Sequence, residues 1–126
     1  MLAIDTNVLV RLITRDDKRQ VAAAEVFIAR GAWVSHLVLV ETMWVLVSVY
    51  GVASKGIAAA VDMLLNHKDI SLQEPDVVAE ALSRFRKKPS LGFSDCLVLE
   101  VARKAGHLPL GTFDSDLGKL AGAQRL

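Results

Sequence analysis

Apolar positions along this chain recur with two different periods, and the changes of period mark its elements. Met1 to Ile4 is a short apolar run ending at Asp5, after which Thr6-Asn7 opens a helical pattern through Val8, Leu9, Leu12 and Ile13. A strand therefore delivers Asp5 to a strand-to-helix junction. Asp16 and Asp17 are placed to cap a second helix, with Val21, Ala24, Phe27 and Ile28 on its apolar side and Gly31 as its stop. Trp33-Val34 reads as a brief strand. The long apolar stretch from about Leu37 ends at Gly51, and Ser54 begins another helix through Ile57, Val61, Leu64 and Leu65, so the two suggest a helical hairpin. Ile70-Ser71-Leu72 alternates as a strand does, Pro75 starts a helix to about Lys87, and Lys88-Pro89-Ser90 breaks it. Gly92 to Ala105 is the next helix, ended by Gly106. Leu108 to Thr112 is a strand, and Asp114 to Leu120 is a helical turn or two before a short tail.

Strands that alternate with helices, separated by too much chain for hairpins, predict an α/β fold: a parallel sheet with helices on both faces. Ligands of such sheets lie at the carboxyl ends of the strands. Asp5 and Asp114 both fall on that edge.

Composition narrows the reading. The 126 residues suit one domain, residues 1–126, and 52% apolar against 23% charged residues allow a full core. Fifteen Lys and Arg against fourteen Asp and Glu give a net charge of +1, so affinity for a polyanion has to be local rather than a general positive field. The single Cys96 cannot form an internal disulfide, and no basic stretch followed by an apolar one opens the chain, which makes the cytoplasm the expected location. Leu37 to Tyr50 is shorter than the roughly 20 residues of a membrane span and contains Glu41, so it predicts a buried helix and no membrane association.

Four acidic residues stand in unusual surroundings. Glu41 lies in a helix that is apolar nearly all round; an unpaired carboxylate buried there costs several kcal/mol, so it needs a cationic partner. Asp95 raises the same question, because Cys96, Leu97, Val98 and Leu99 follow it. Each has a structural alternative: Asp5 as a helix cap, Asp95 as a favourable charge at a helix N-terminus, Glu41 as the partner of an Arg. Together, with few basic residues in the same segments, they ask for divalent cations. Oxygen ligands without a His or Cys pair favour Mg²⁺ or Mn²⁺ over Zn²⁺.

Ile4-Asp5-Thr6-Asn7-Val8-Leu9, then Val40-Glu41-Thr42, then Phe93-Ser94-Asp95-Cys96-Leu97, then Thr112-Phe113-Asp114-Ser115-Asp116-Leu117 resemble, in order and over essentially the whole chain, the motifs of PIN-domain nucleases. The resemblance is closest to VapC-like ribonuclease toxins of toxin–antitoxin pairs. It implies a three-layer α/β/α sandwich around a short parallel sheet, with Asp5, Glu41, Asp95 and Asp114 converging on one or two Mg²⁺ or Mn²⁺ ions and Asp116 as a weaker fifth member. It further implies hydrolysis of RNA by metal-activated water, Thr6, Asn7 and Thr112 as polar helpers, and a VapB-like antitoxin as partner. Helix caps and strand-end hydrogen bonds are the alternative roles of those three. Trp44 and Tyr50 on the long helix are compatible with a homodimer and an antitoxin groove, or equally with core burial.

Positive charge for RNA comes from two segments. Arg84-Phe85-Arg86-Lys87-Lys88 precedes the loop to Asp95, which singles out Arg86 and Lys87; Arg11, one turn beyond Asn7, is the best candidate among Arg11, Arg15, Lys18 and Arg19. A solvated helix face accounts for either cluster equally well. His36, His67 and His107 lie outside the acidic motifs and read as surface or loop residues, and Cys96 as a small buried apolar one. Two other functions compete: a catalytically silent module of the same fold that holds a partner's Arg in its carboxylate pocket, and a phosphatase phosphorylated on Asp5. The second wants another Asp two residues on, where this chain has Asn7.

Overall fold

In the computed structural model, which describes residues 1–126, the first apolar run is strand β1 (Leu2–Ala3), followed by α1 (Thr6–Thr14) and α2 (Lys18–Ile28). Asp5 is the N-cap of α1, its Oδ1 accepting from the Val8 N–H at 3.1 Å; Asp17 caps α2 by accepting from the Gln20 N–H at 3.0 Å. Strand β2 (Ala32–Val34) then leads into α3 (His36–Ser48), capped by Ser35, and α4 (Ser54–Asn66) leads to β3 (Ile70–Leu72). The three strands form a parallel sheet in the order β1-β2-β3, with Leu2 opposite Ala32 and Ala32 opposite Ile70. Ala32, Val34, Ile70 and Leu72 are buried while Trp33 and Ser71 face outward, the period of two that the pleat imposes. These elements make one compact unit, Met1–Pro75.

The second unit, Asp76–Leu126, continues α5 (Pro75–Lys87) through a 3₁₀ turn at Pro89–Leu91 into α6 (Phe93–Ala105). Gly92 precedes α6 with φ +81°, a left-handed conformation that L side chains rarely adopt, so the sharp entry of the Asp95 helix depends on a glycine. Across the break Phe85 and Phe93 meet edge to face, ring centroids 6.1 Å apart. Strand β4 (Leu110–Thr112) pairs in parallel with β5 (Ala123–Arg125). Between them lies a 3₁₀ turn, Leu117–Lys119, where a Cβ on Gly118 would come within 2.7 Å of the Arg125 Cβ, so only glycine allows the close approach.

Every ladder is parallel, as the α/β expectation requires, and the strands bond as one sheet of three and one of two. Three expectations need correction. The tail is not loose chain but β5, which Ala-Gln-Arg does not announce because the strand is held by backbone pairing to β4 and not by an apolar pattern. The long apolar helix is not buried all round: α3 buries Leu39, Thr42, Met43 and Leu46, while Leu37 and Trp44 are 77% and 65% exposed. Glu41 is consequently exposed and needs no cation for burial's sake. The buried carboxylate is Glu100 of α6, 4% exposed, and it has cations, Arg84 Nε at 2.9 Å and Arg103 Nε at 3.2 Å. Sequence pointed to Arg84 only as part of a basic run.

Candidate active site

In the first unit Asp5, Thr6, Asn7, Leu37, Val38 and Glu41 line one cleft of about 240 Å³ where the ends of β1 and β2 feed α1 and α3. Both carboxylates are exposed, and Thr6 is buried beneath them. Capping occupies Oδ1 of Asp5 only, and Glu41 makes no ion pair. The hydroxyl of Thr42, beside Glu41, is fully buried without a partner, as is Nε2 of His36 at the first turn of α3. His36 thus departs from the surface role expected of it.

In the second unit the start of α6 holds Asp95 half-buried, and the segment after β4 holds Asp114. Burial raises the Asp95 carboxyl above its usual range and the Asp114 charge adds to the shift, so the two carboxylates repel across a partly dehydrated space with no cation between them. Asp114 is fixed at both ends: its N–H donates to the Thr112 hydroxyl at 3.0 Å, and its Oδ1 accepts from the Leu117 N–H at 2.8 Å. Thr112 therefore positions Asp114, the strand-end bond weighed as its alternative. Asp116 faces Lys88 at 3.5 Å and Lys119 at 3.9 Å, so its charge is already met. Burial pushes the Cys96 thiol up to about 11, with Asp95 and Glu100 adding to it, which leaves an inert apolar residue as expected.

The basic candidates separate. Arg86 and Lys87 are exposed in the last turn of α5, where positive charge also suits the helix dipole. Arg11 is engaged: Nε donates to Gln20 at 2.6 Å, and Nη1 reaches Asp16 at 3.0 Å and the Tyr50 hydroxyl at 3.1 Å. Its network joins α1, the α1–α2 loop and the segment after α3. Sequence reading missed this network and the cleft of about 390 Å³ beside it, lined by Asp5, Asn7, Val8, Arg11, Gln20 and Phe27 among others. A signal existed: Asn7 and Arg11, four apart, share a face of α1, as Gln20, Ala24 and Phe27 share one of α2.

The donor chemistry suits a hard divalent cation. All four side chains are carboxylates, none is neutralised by a protein cation, and one pair is strained by its own charge. No three His, Cys, Asp or Glu side chains of the chain are grouped closely enough to hold a metal ion as they stand; Asp5 with Glu41 lie in the first unit and Asp95 with Asp114 in the second.

The parallel strands define an α/β protein with Asp5 just beyond β1 and Asp114 just beyond β4. The family model described as PIN domain matches residues 2–123, and the chain belongs to the PIN-domain family. Among solved structures it is similar to VapC20 of Mycobacterium tuberculosis, described as a Sarcin-Ricin loop cleaving toxin, with 20% identity, 98% of each chain covered and a TM-score of 0.44. No curated protein matches. No helix is long and apolar enough to cross a membrane.

Proposed function

We propose that this PIN-domain chain is a Mg²⁺- or Mn²⁺-dependent endoribonuclease, the toxin of a VapC-like toxin–antitoxin pair acting in the cytoplasm. The observation that carries the reading is a contrast within one unit. Where the fold needs a carboxylate neutralised by protein it supplies two arginines, as at Glu100; at Asp95 and Asp114 it supplies none and leaves the repulsion standing. A group retained at that cost has work to do that a cation completes.

Asp5, Glu41, Asp95 and Asp114 would hold one or two ions, with both units, residues 1–126, acting as one domain. Asp116, already facing two lysines, would contribute least. A bound divalent cation supplies charge neutralisation at the scissile phosphate and a lowered pKa for the attacking water. The chain's own residues do the rest. The caps at Val8 and Leu117 hold one oxygen each of Asp5 and Asp114 and turn the other outward. Thr112 holds the Asp114 backbone, buried Thr6 lines the Asp5 cleft, and the Asn7 amide in that cleft would orient a phosphate oxygen. Arg86 and Lys87 would contact the RNA backbone; Arg11, committed to Asp16, Tyr50 and Gln20, would act by shaping the cleft next to Asp5. The open apolar side of α3 at Leu37 and Trp44 supports a homodimer or a VapB-like partner, and sedimentation of the chain alone and with a partner tests this.

The test compares substrates under one set of conditions. RNA is cleaved in Mn²⁺ and not in EDTA, while a phosphate monoester is untouched in either. Turnover of the monoester would instead support the phosphatase, and metal binding without turnover of RNA would support the silent module.

A further inference from the structure

The cleft of about 390 Å³ between α1 and α2 shares Asp5 and Asn7 with the acidic site but extends away from it. Its size falls in the range of small-ligand clefts, and its walls combine an apolar body with a few polar groups at one side. Val8, Ala23, Ala24 and Phe27 supply the body. Phe27 is 45% exposed, so one face of a large aromatic ring is left in water at a cleft wall when an inward turn would bury it. The polar groups are selected by the Arg11 network. The Gln20 Oε1 accepts from Arg11 Nε at 2.6 Å, which orients the amide and leaves its NH₂ to donate. Asn7 offers both a donor and an acceptor at the Asp5 end. Arg11 also donates to Asp16 and to the Tyr50 hydroxyl, which itself donates to Asp16 at 2.9 Å, so the polar rim is linked into one hydrogen-bonded network.

From these features we infer that the cleft is a base-recognition subsite: it takes the nucleobase of a nucleotide next to the scissile phosphate, stacked on Phe27 and hydrogen-bonded at its edge by Gln20 and Asn7. The inference rests on the ribonuclease reading, and it adds where a sequence preference would come from. A nucleobase fits the chemistry because it is flat, needs an aromatic face, and carries donors and acceptors on its rim. An apolar peptide side chain would use Phe27 but make no use of the donor and acceptor groups of Gln20 and Asn7. Asp5 and Asn7 line both this cleft and the acidic one, so a base held here adjoins the Asp5 carboxylate and its recognition would select the bond that is cut.

The experiment has two arms. In the first, 5′-AMP, GMP, CMP and UMP are titrated into the intact protein in EDTA, with backbone amide shifts followed by NMR. One nucleotide is expected to bind best and to shift the amides of Asn7, Gln20 and Ala23, with Phe27→Ala weakening it about tenfold, the size of one base–aromatic stack, and Phe27→Trp restoring it. Ala23→Leu, which fills the cleft from an exposed helix position, should abolish binding with an unchanged melting temperature. In the second arm, RNA carrying a single abasic site at successive positions is cleaved in Mn²⁺; cleavage should fall at one position next to the scissile bond and nowhere else, and Phe27→Ala should raise KM and erase that difference. Nucleotide binding in the cleft without RNA cleavage would remove the nuclease reading and leave the subsite. RNA cleavage indifferent to abasic sites, with no shifts in the cleft, would remove the subsite and leave the nuclease. Binding of no nucleotide but saturation by an amphipathic peptide would assign the cleft to a protein partner and overturn the proposal.

Discussion

Two carboxylates of α6, five residues apart, illustrate how environment decides the role of a side chain. Glu100 is 4% exposed and satisfied by Arg84 and Arg103, and Arg103 is in turn held by the Ala121 carbonyl at 2.6 Å. Glu100→Gln keeps the shape and removes the charge, leaving one of the two guanidinium groups facing an amide NH₂ in place of an acceptor. Because both arginines are about a third exposed, water recovers part of the loss, and the cost should be about 2 kcal/mol. Urea denaturation measures it, and an unchanged midpoint would mean that the pair is ornamental. Asp95 behaves in the opposite sense. Its carboxyl is raised by burial and then by Asp114, so between the unfolded value near 4 and the raised folded value the native state holds more protons than the unfolded one. Stability from this group therefore falls as pH rises through that window, and above it the full penalty remains. Asp95→Asn should raise the melting temperature of the metal-free protein at pH 7 by a few degrees and flatten its decline as pH rises through that window, read by thermal melts. A variant less stable than the parent would make Asp95 a structural residue.

At the scale of elements, what could be read from sequence followed from where the driving force lay. Helices α1, α2, α5 and α6 follow apolar periodicity and start or end at Asp17, Gly92 and Gly106, residues whose chemistry starts or stops a helix, and Pro75 and Lys87 bound α5 as expected. Strand β5 was invisible because backbone pairing rather than side-chain burial makes it. The exposure of Glu41 was misread because a helix apolar on all sides carries no record of which side the core will cover; α3 puts Leu39, Thr42, Met43 and Leu46 inward and turns Glu41 away. As candidates, Asp5, Asp95 and Asp114 could be singled out because their motifs sit at a strand end or a helix start, and Glu41 because it interrupts an apolar helix, whereas the cleft beside α2 depends on Gln20 and Phe27 meeting α1 and could only be seen in three dimensions. The end of α5 belongs to this scale as well. If Arg86 and Lys87 bind phosphates, replacing both with Ala weakens RNA binding and reduces the slope of log affinity against log salt by about 0.7 for each phosphate no longer neutralised on a single strand. Filter binding across a salt series gives the slope; an unchanged one would leave these residues as complements to the helix dipole alone.

For the whole molecule, a net charge of +1 means that a polyanion would not be gathered by a general field, so the proposed action on RNA would rest on local groups. Asp5 and Glu41 line a cleft of the first compact unit, and Asp95 and Asp114 repel one another in the second. The central claim is that the two pairs serve one metal-dependent reaction. Metal at about a hundredfold its dissociation constant should stabilise the parent by about 2.7 kcal/mol. The decisive measurement is RNA cleavage by the parent, by Asp5→Asn and by Asp95→Asn, each titrated with Mn²⁺ alongside its melting temperature. The account predicts that the parent cleaves only with metal, that either substitution lowers the rate by a hundredfold or more, and that each shrinks the Mn²⁺-induced rise in melting temperature although the folds are intact. A parent that turns over in EDTA, or a variant of either pair that cleaves at the parental rate with the full Mn²⁺ shift, would contradict it.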